Sequence, residues 1–165
     1  MTLPDDKTLH SLAHQLGQRL PARNEWLATA ESCTGGLIAK LLTDIAGSSA
    51  WFERGLVTYS NASKEQLLCV PAEVLQASGA VSAETVQAMV QGLLLAAPVQ
   101  WGIAVSGIAG PGGGTPDKPV GTVWIGWGGA AVAGSVSRFL FQGDRDAVRR
   151  QAAREALQGL LQLLG

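Results

Sequence analysis

Apolar residues recur along this chain with two periods, and the changes between them mark out its elements. Leu9, Leu12, Ala13, Leu16 and Leu20 follow helical spacing and predict an amphipathic helix over 5–20. Trp26 to Ala30 is a short apolar run suited to a buried strand. After Glu31-Ser32-Cys33-Thr34-Gly35-Gly36, helical spacing resumes through Leu37, Ile38, Leu41, Leu42 and Ile45, and Gly47-Ser48-Ser49 stops it. Gly55 to Tyr59 reads as a second strand, followed by a short helix over Lys64 to Leu68 and a turn of helix opened by Pro71.

The second half repeats the logic. Ser82 is placed to cap a helix whose apolar face is Val86, Met89, Val90, Leu93, Leu94 and Ala97, with Pro98 beyond its end. Trp101 to Ser106 predicts a buried strand that runs into the glycine-rich stretch Gly107 to Gly114, which cannot be regular structure. Gly121–Trp127 and Ala130–Phe141, joined at Gly128-Gly129, predict an antiparallel hairpin. A last helix starts at Arg145 and carries Val148, Ala152, Ala156, Leu160 and Leu164. The order α-β-α-β-α-α-β-β-β-α predicts a single α/β domain over 1–165, a mixed sheet between two layers of helices.

Composition narrows the function classes. At 165 residues, with 47% hydrophobic and 15% charged residues, the chain has the makings of one well-buried core. Twelve basic residues against thirteen acidic ones leave a net charge of −1, which supplies no global field for nucleic acid or an anionic membrane. No apolar run approaches the roughly 18 residues of a membrane span. The polar, acidic start and two isolated cysteines, Cys33 and Cys69, point to the cytoplasm.

Three features could carry chemistry. A strand that ends in Ser32-Cys33-Thr34 and turns through Gly35-Gly36 into a helix sets a nucleophile beside unpaired N–H groups able to hold an oxyanion. A serine cap on a tight strand–helix turn would give the same string, and the G-x-S-x-G spacing is absent. His10 and His14, both on the first helix, lack an H-E-x-x-H glutamate and read as a solvated face, so a Ser-His-Asp triad and a metal site are both disfavoured. Lys64, just past a strand end, is the alternative base. Its pKa would have to be lowered by burial or by a cation such as Arg145. Finally, Arg145, Arg149, Arg150 and Arg154 load the N-terminal half of a helix, where the dipole disfavours positive charge. Either an anion site or a solvated arginine face accounts for them.

The segments Ala30–Gly36, Gly47–Phe52, Val57–Asn61 leading to Lys64, Gly79–Ser82, Ser106–Pro111, Lys118–Val123 and Gly143–Arg145, taken in order, resemble the CinA C-terminal-domain family. Stand-alone members of that family are nicotinamide-nucleotide amidohydrolases. The resemblance implies hydrolysis of nicotinamide mononucleotide to nicotinate mononucleotide and ammonia, in NAD salvage, with no cofactor and no metal. It implies Ser32 as nucleophile, Lys64 as general base, Tyr59 as a residue that relays or orients the proton, and Arg145 near the substrate phosphate. Thr34, Gly35, Gly36, Ser106 and Gly107 are carried over as site-lining residues. A small-molecule nucleotide as partner and a homo-oligomer, a dimer first, complete the expectation. Two rivals stay open: an amidase with Cys33 as nucleophile and Glu31 and Lys64 as acid–base partners, and a non-catalytic nucleotide-binding module.

Overall fold

Leu27, Ile103, Val105, Val123 and Ile125 face one side of a sheet, while Ala28, Ala30 and Ala104 face the other. That alternation is what a sheet buried on both faces requires. The computed structural model describes residues 3–129 and 131–165, with Val132 as backbone only. Its elements are α1 (Asp6–Ala22), β1 (Leu27–Glu31), α2 (Leu37–Thr43), β2 (Phe52–Val57), α3 (Asn61–Leu68), α4 (Ala72–Ser78), α5 (Ala83–Ala96), β3 (Trp101–Gly107), β4 (Thr122–Gly129), β5 (Val132–Leu140) and α6 (Arg145–Leu164). The strand order is β2-β1-β3-β4-β5, with β1 parallel to both neighbours and β3, β4 and β5 antiparallel in turn.

α1, α2 and α6 cover one face, and α5 with α3 and α4 covers the other. α6 buries Val148, Ala152, Ala156, Leu160 and Leu164, the five positions its spacing predicts. Each fully buried leucine there contributes roughly 1.5–3 kcal/mol. On the opposite face, close approach is set by glycine. A Cβ at Gly128 would lie 2.5 Å from Val90 Cγ1, so β4 admits α5 only because it carries no side chain there.

Several boundaries differ from the periodic reading. α1 runs past Leu20 through Pro21, with the Asp5 side chain accepting from Thr8 N–H at its start. The Pro71 turn grows into a full helix, α4, so the element order gains one helix. β2 starts at Phe52 and ends at Val57, earlier than Gly55–Tyr59. It is set by pairing of Phe52 to Val57 with Leu27 to Glu31, and Thr58-Tyr59 then leave the sheet. β4 continues through Gly128 to Gly129, because Gly129 still pairs with Val132. The predicted strand start at Ala130 lies outside the described residues. Among the described residues no helix is long and apolar enough to cross a membrane.

Candidate active site

In the order β2-β1-β3, the chain leaves β1 through α2 on one face and leaves β2 through helices on the other. A crevice opens at such a reversal, beyond the carboxyl ends of the strands. Here it is a cleft of about 290 Å³ whose walls include Ser32, Tyr59, Lys64, Ser106, Gly110 and Arg145. A larger hollow of about 530 Å³ lies at the β5–α6 edge among Leu3, Phe139 and Phe141, and presents no nucleophile.

Ser32 follows β1 directly, and the chain turns through Gly35 (φ +59°) and Gly36 (φ +97°), a left-handed pair that side chains resist. Glu31, fully buried, fastens the turn. Its Oε1 accepts from Ile38 N–H and its Oε2 from Ala39 N–H, both at 2.9 Å. Both carboxylate oxygens are thus spent on the first turn of α2. This role had a signal in the sequence: an acidic residue a few positions ahead of a helix that has no capping side chain at Gly36.

Lys64 comes from α3, whose N-cap Ser60 accepts from Ser63 N–H. Lys64 is 1% exposed, and its Nζ lies 3.0 Å from Ser32 Oγ. The Thr58 carbonyl at 2.8 Å and the Tyr59 carbonyl at 3.3 Å take up the other two directions. The exit of Thr58-Tyr59 from the sheet is what turns those carbonyls toward the amine. Burial pushes the Lys64 pKa below its ordinary value, with the Cys33 thiol opposing it. Arg145 is not a cause. Nζ donates to Ser32 Oγ and to both carbonyls, and the Ser32 hydroxyl donates to the Tyr59 carbonyl at 3.4 Å. Loss of one proton from the amine would free a lone pair toward Ser32.

The remaining predicted residues divide. Ser106, buried at the end of β3, and Gly107 line the cleft with Ser32. Thr34, Gly35 and Gly36 form the turn behind Ser32 and do not line it. The Tyr59 side chain is 59% exposed, and its hydroxyl accepts from Arg145 Nη2 at 3.0 Å. What Tyr59 sets against Lys64 is its main-chain carbonyl. Arg145 also donates to the Gly110 carbonyl at 2.8 Å, so it spans the cleft mouth from α6 to the glycine-rich stretch.

The four arginines of α6 do not form one cluster. Arg150 bonds the Pro4 carbonyl and Asp6, Arg154 bonds Glu155, and Arg149 bonds the Thr34 carbonyl in the turn after Ser32. Only Arg145 of the four lines the cleft. They diverge because a helix spreads successive positions around its axis.

Cys33 is buried in the core packed by α1, α2 and α6, and desolvation pushes its thiol up to about 12. Cys33 also lines the cleft beside Ser32. Of the two partners a cysteine mechanism would use, Glu31 has both oxygens spent on α2, and Lys64 is bonded to Ser32 Oγ. His10 and His14 stand exposed on α1. Among the described residues no group of three or more His, Cys, Asp or Glu comes together.

Comparison with known proteins places this architecture. The chain is 55% identical over 157 residues to the nicotinamide-nucleotide amidohydrolase PncC of Escherichia coli K12, covering 95% of each. It is 54% identical over 153 residues to PncC of Pseudomonas putida, covering 93% of this chain and 95% of that one. Among solved structures, the competence/damage inducible protein CihA of Agrobacterium tumefaciens superimposes with a TM-score of 0.95 at 38% identity, covering 100% of this chain and 99% of that one. The model of the CinA C-terminal domain matches residues 9–164, a span that holds the sheet, the Ser32 turn, Lys64 and Arg145 together, and the chain belongs to that family.

Proposed function

We propose that this protein hydrolyses the carboxamide of nicotinamide mononucleotide, giving nicotinate mononucleotide and ammonia, with Ser32 and Lys64 as its catalytic pair. The observation that carries the reading is a desolvated lysine amine 3.0 Å from a serine hydroxyl at the strand-end cleft. The substrate is drawn from the relatives named for that activity at 55% and 54% identity over most of the chain.

The reaction needs little else. Neutral Lys64 takes the Ser32 proton as Oγ attacks the carboxamide carbon, and a backbone N–H directly after Ser32 holds the oxyanion. When the C–N bond breaks, Lys64 returns the proton and ammonia leaves. Water then opens the Ser32 ester, with Lys64 again accepting the proton and handing it back to Ser32 Oγ, and the acid departs. Arg145, at the cleft mouth, takes the 5′-phosphate, and that remote contact positions the carboxamide. The setting is NAD salvage in the cytoplasm, which two free thiols suit, and the resemblance extends it to a homo-oligomer.

Ammonia release from the purified protein with nicotinamide mononucleotide is the test. Stoichiometric binding without turnover would replace the enzyme by a nucleotide-binding module.

A further inference from the structure

Arg149 stands one turn beyond Arg145 on α6 and plays no part in the cleft wall. Its Nη2 donates to the Thr34 carbonyl at 2.9 Å, and a Cβ built at Gly35 would lie 3.4 Å from the same nitrogen. Its Nε is buried without a hydrogen-bond partner, and among the described residues no carboxylate lies within ion-pair distance of it. Arg149 is half-buried, and the cost falls on its Nε, which is withdrawn from water with no partner to offset its desolvation.

A chain of hydrogen bonds leads from that charge to the nucleophile. Arg149 bonds the Thr34 carbonyl. The N–H of the same amide, on Gly35, donates to the Ser32 carbonyl at 3.0 Å. The N–H of the Ser32 amide belongs to Cys33. Each bond polarises the next, so the charge reaches the Cys33 N–H through two peptide groups. Ser32's own N–H is committed to the Val105 carbonyl at 2.9 Å and cannot serve an oxyanion. Cys33 lines the cleft, and among the described residues its N–H makes no hydrogen bond to another residue.

We infer that Arg149 is a positioning residue: it locks the turn after Ser32 and polarises the Cys33 N–H that receives the oxyanion. The inference rests on the reading of Ser32 as nucleophile but not on which amide is cleaved.

The test uses Arg149→Met, Arg149→Gln and Arg149→Lys in the full chain with two readouts. One is steady-state ammonia release from nicotinamide mononucleotide. The other is the rate at which a fluorophosphonate modifies Ser32, followed by intact mass; Ser32 Oγ bonds phosphorus as Lys64 takes its proton, fluoride leaves, and the phosphoryl oxygen occupies the oxyanion position. Arg149→Met is expected to lower kcat and the modification rate by about tenfold each, with KM unchanged. That is less than the roughly 100- to 1000-fold loss for removing an oxyanion donor outright, because the Cys33 N–H stays in place. Arg149→Lys should recover part of the loss. If Arg149→Met does not fold, the order wild type, Lys, Gln in both rates carries the test.

A raised KM with kcat retained would make Arg149 a substrate ligand and overturn the inference. So would a lowered melting temperature with an unchanged rate per titrated site. A wild type that is modified at Ser32 but releases no ammonia sinks the nicotinamide reading alone, and the modification rates still decide Arg149. A wild type whose Ser32 does not react overturns both.

Discussion

Replacing Lys64 probes the site where its chemistry is most exposed to test. The amine makes three contacts, with Ser32 Oγ at 3.0 Å and the Thr58 and Tyr59 carbonyls at 2.8 and 3.3 Å, and these account for its hydrogen-bonding capacity. Lys64→Met keeps the length of the buried stem and removes the base. A general base contributes roughly 100- to 10,000-fold, or about 3–5.5 kcal/mol of barrier. The same group serves both acylation and deacylation, so the upper end of that range is expected. Ser32→Ala should cost as much, and the double variant scarcely more, because the two act as a unit. Lys64→Arg keeps the charge yet cannot surrender a proton, and should be as inactive as Lys64→Met. The assay is ammonia release across pH, with circular dichroism to establish that each variant folds. Burial lowers the Lys64 pKa, so the wild-type rate should rise as pH increases through that lowered value and fall on the acid side as the amine protonates. Substantial activity in Lys64→Arg, or an acid limb that persists in Lys64→Met, would refute the assignment.

With a thiol pKa near 12, on the order of one Cys33 in 10⁵ is ionised at pH 7, so Cys33→Ala should keep most of the rate while Ser32→Ala abolishes it. Steady-state rates of the two variants side by side decide the point, and the reverse outcome would install the cysteine mechanism. Arg145→Ala removes the bonds to Gly110 and Tyr59 and the proposed phosphate contact, and should lower kcat/KM for nicotinamide mononucleotide by about tenfold to a hundredfold. Its rate on nicotinamide riboside should change far less; an undiminished preference for the phosphorylated substrate would assign the phosphate elsewhere. Exhaustive chelation should leave turnover intact, and loss of activity that zinc restores would contradict the Ser-Lys mechanism.

How much of this was legible in the chain follows from the range of each interaction. The spacing of Val148, Ala152, Ala156, Leu160 and Leu164 specified α6 and its buried face, because helical period and burial are properties of neighbouring residues. Ser82 as a cap and the Trp101 strand were readable for the same reason. The string Glu31–Gly36 announced a tight turn with a hydroxyl in it, and ordered matches over most of the chain pointed to the family. The family resemblance paired Lys64 with Ser32, but no local pattern of residues could bring them together across 32 positions. That meeting depends on parallel pairing of β1 with β2, on the early end of β2 at Val57, and on α3 folding back over the strand ends. Nor could composition separate the four arginines of α6, which look alike in sequence. Packing against the N-terminal segment, Glu155, the turn after Ser32 and the cleft gave them different partners. Burial decided the rest: it pushed Lys64 down toward a usable base and Cys33 up toward an inert thiol. Desolvation belongs to the packed whole, and no local pattern of residues encodes it.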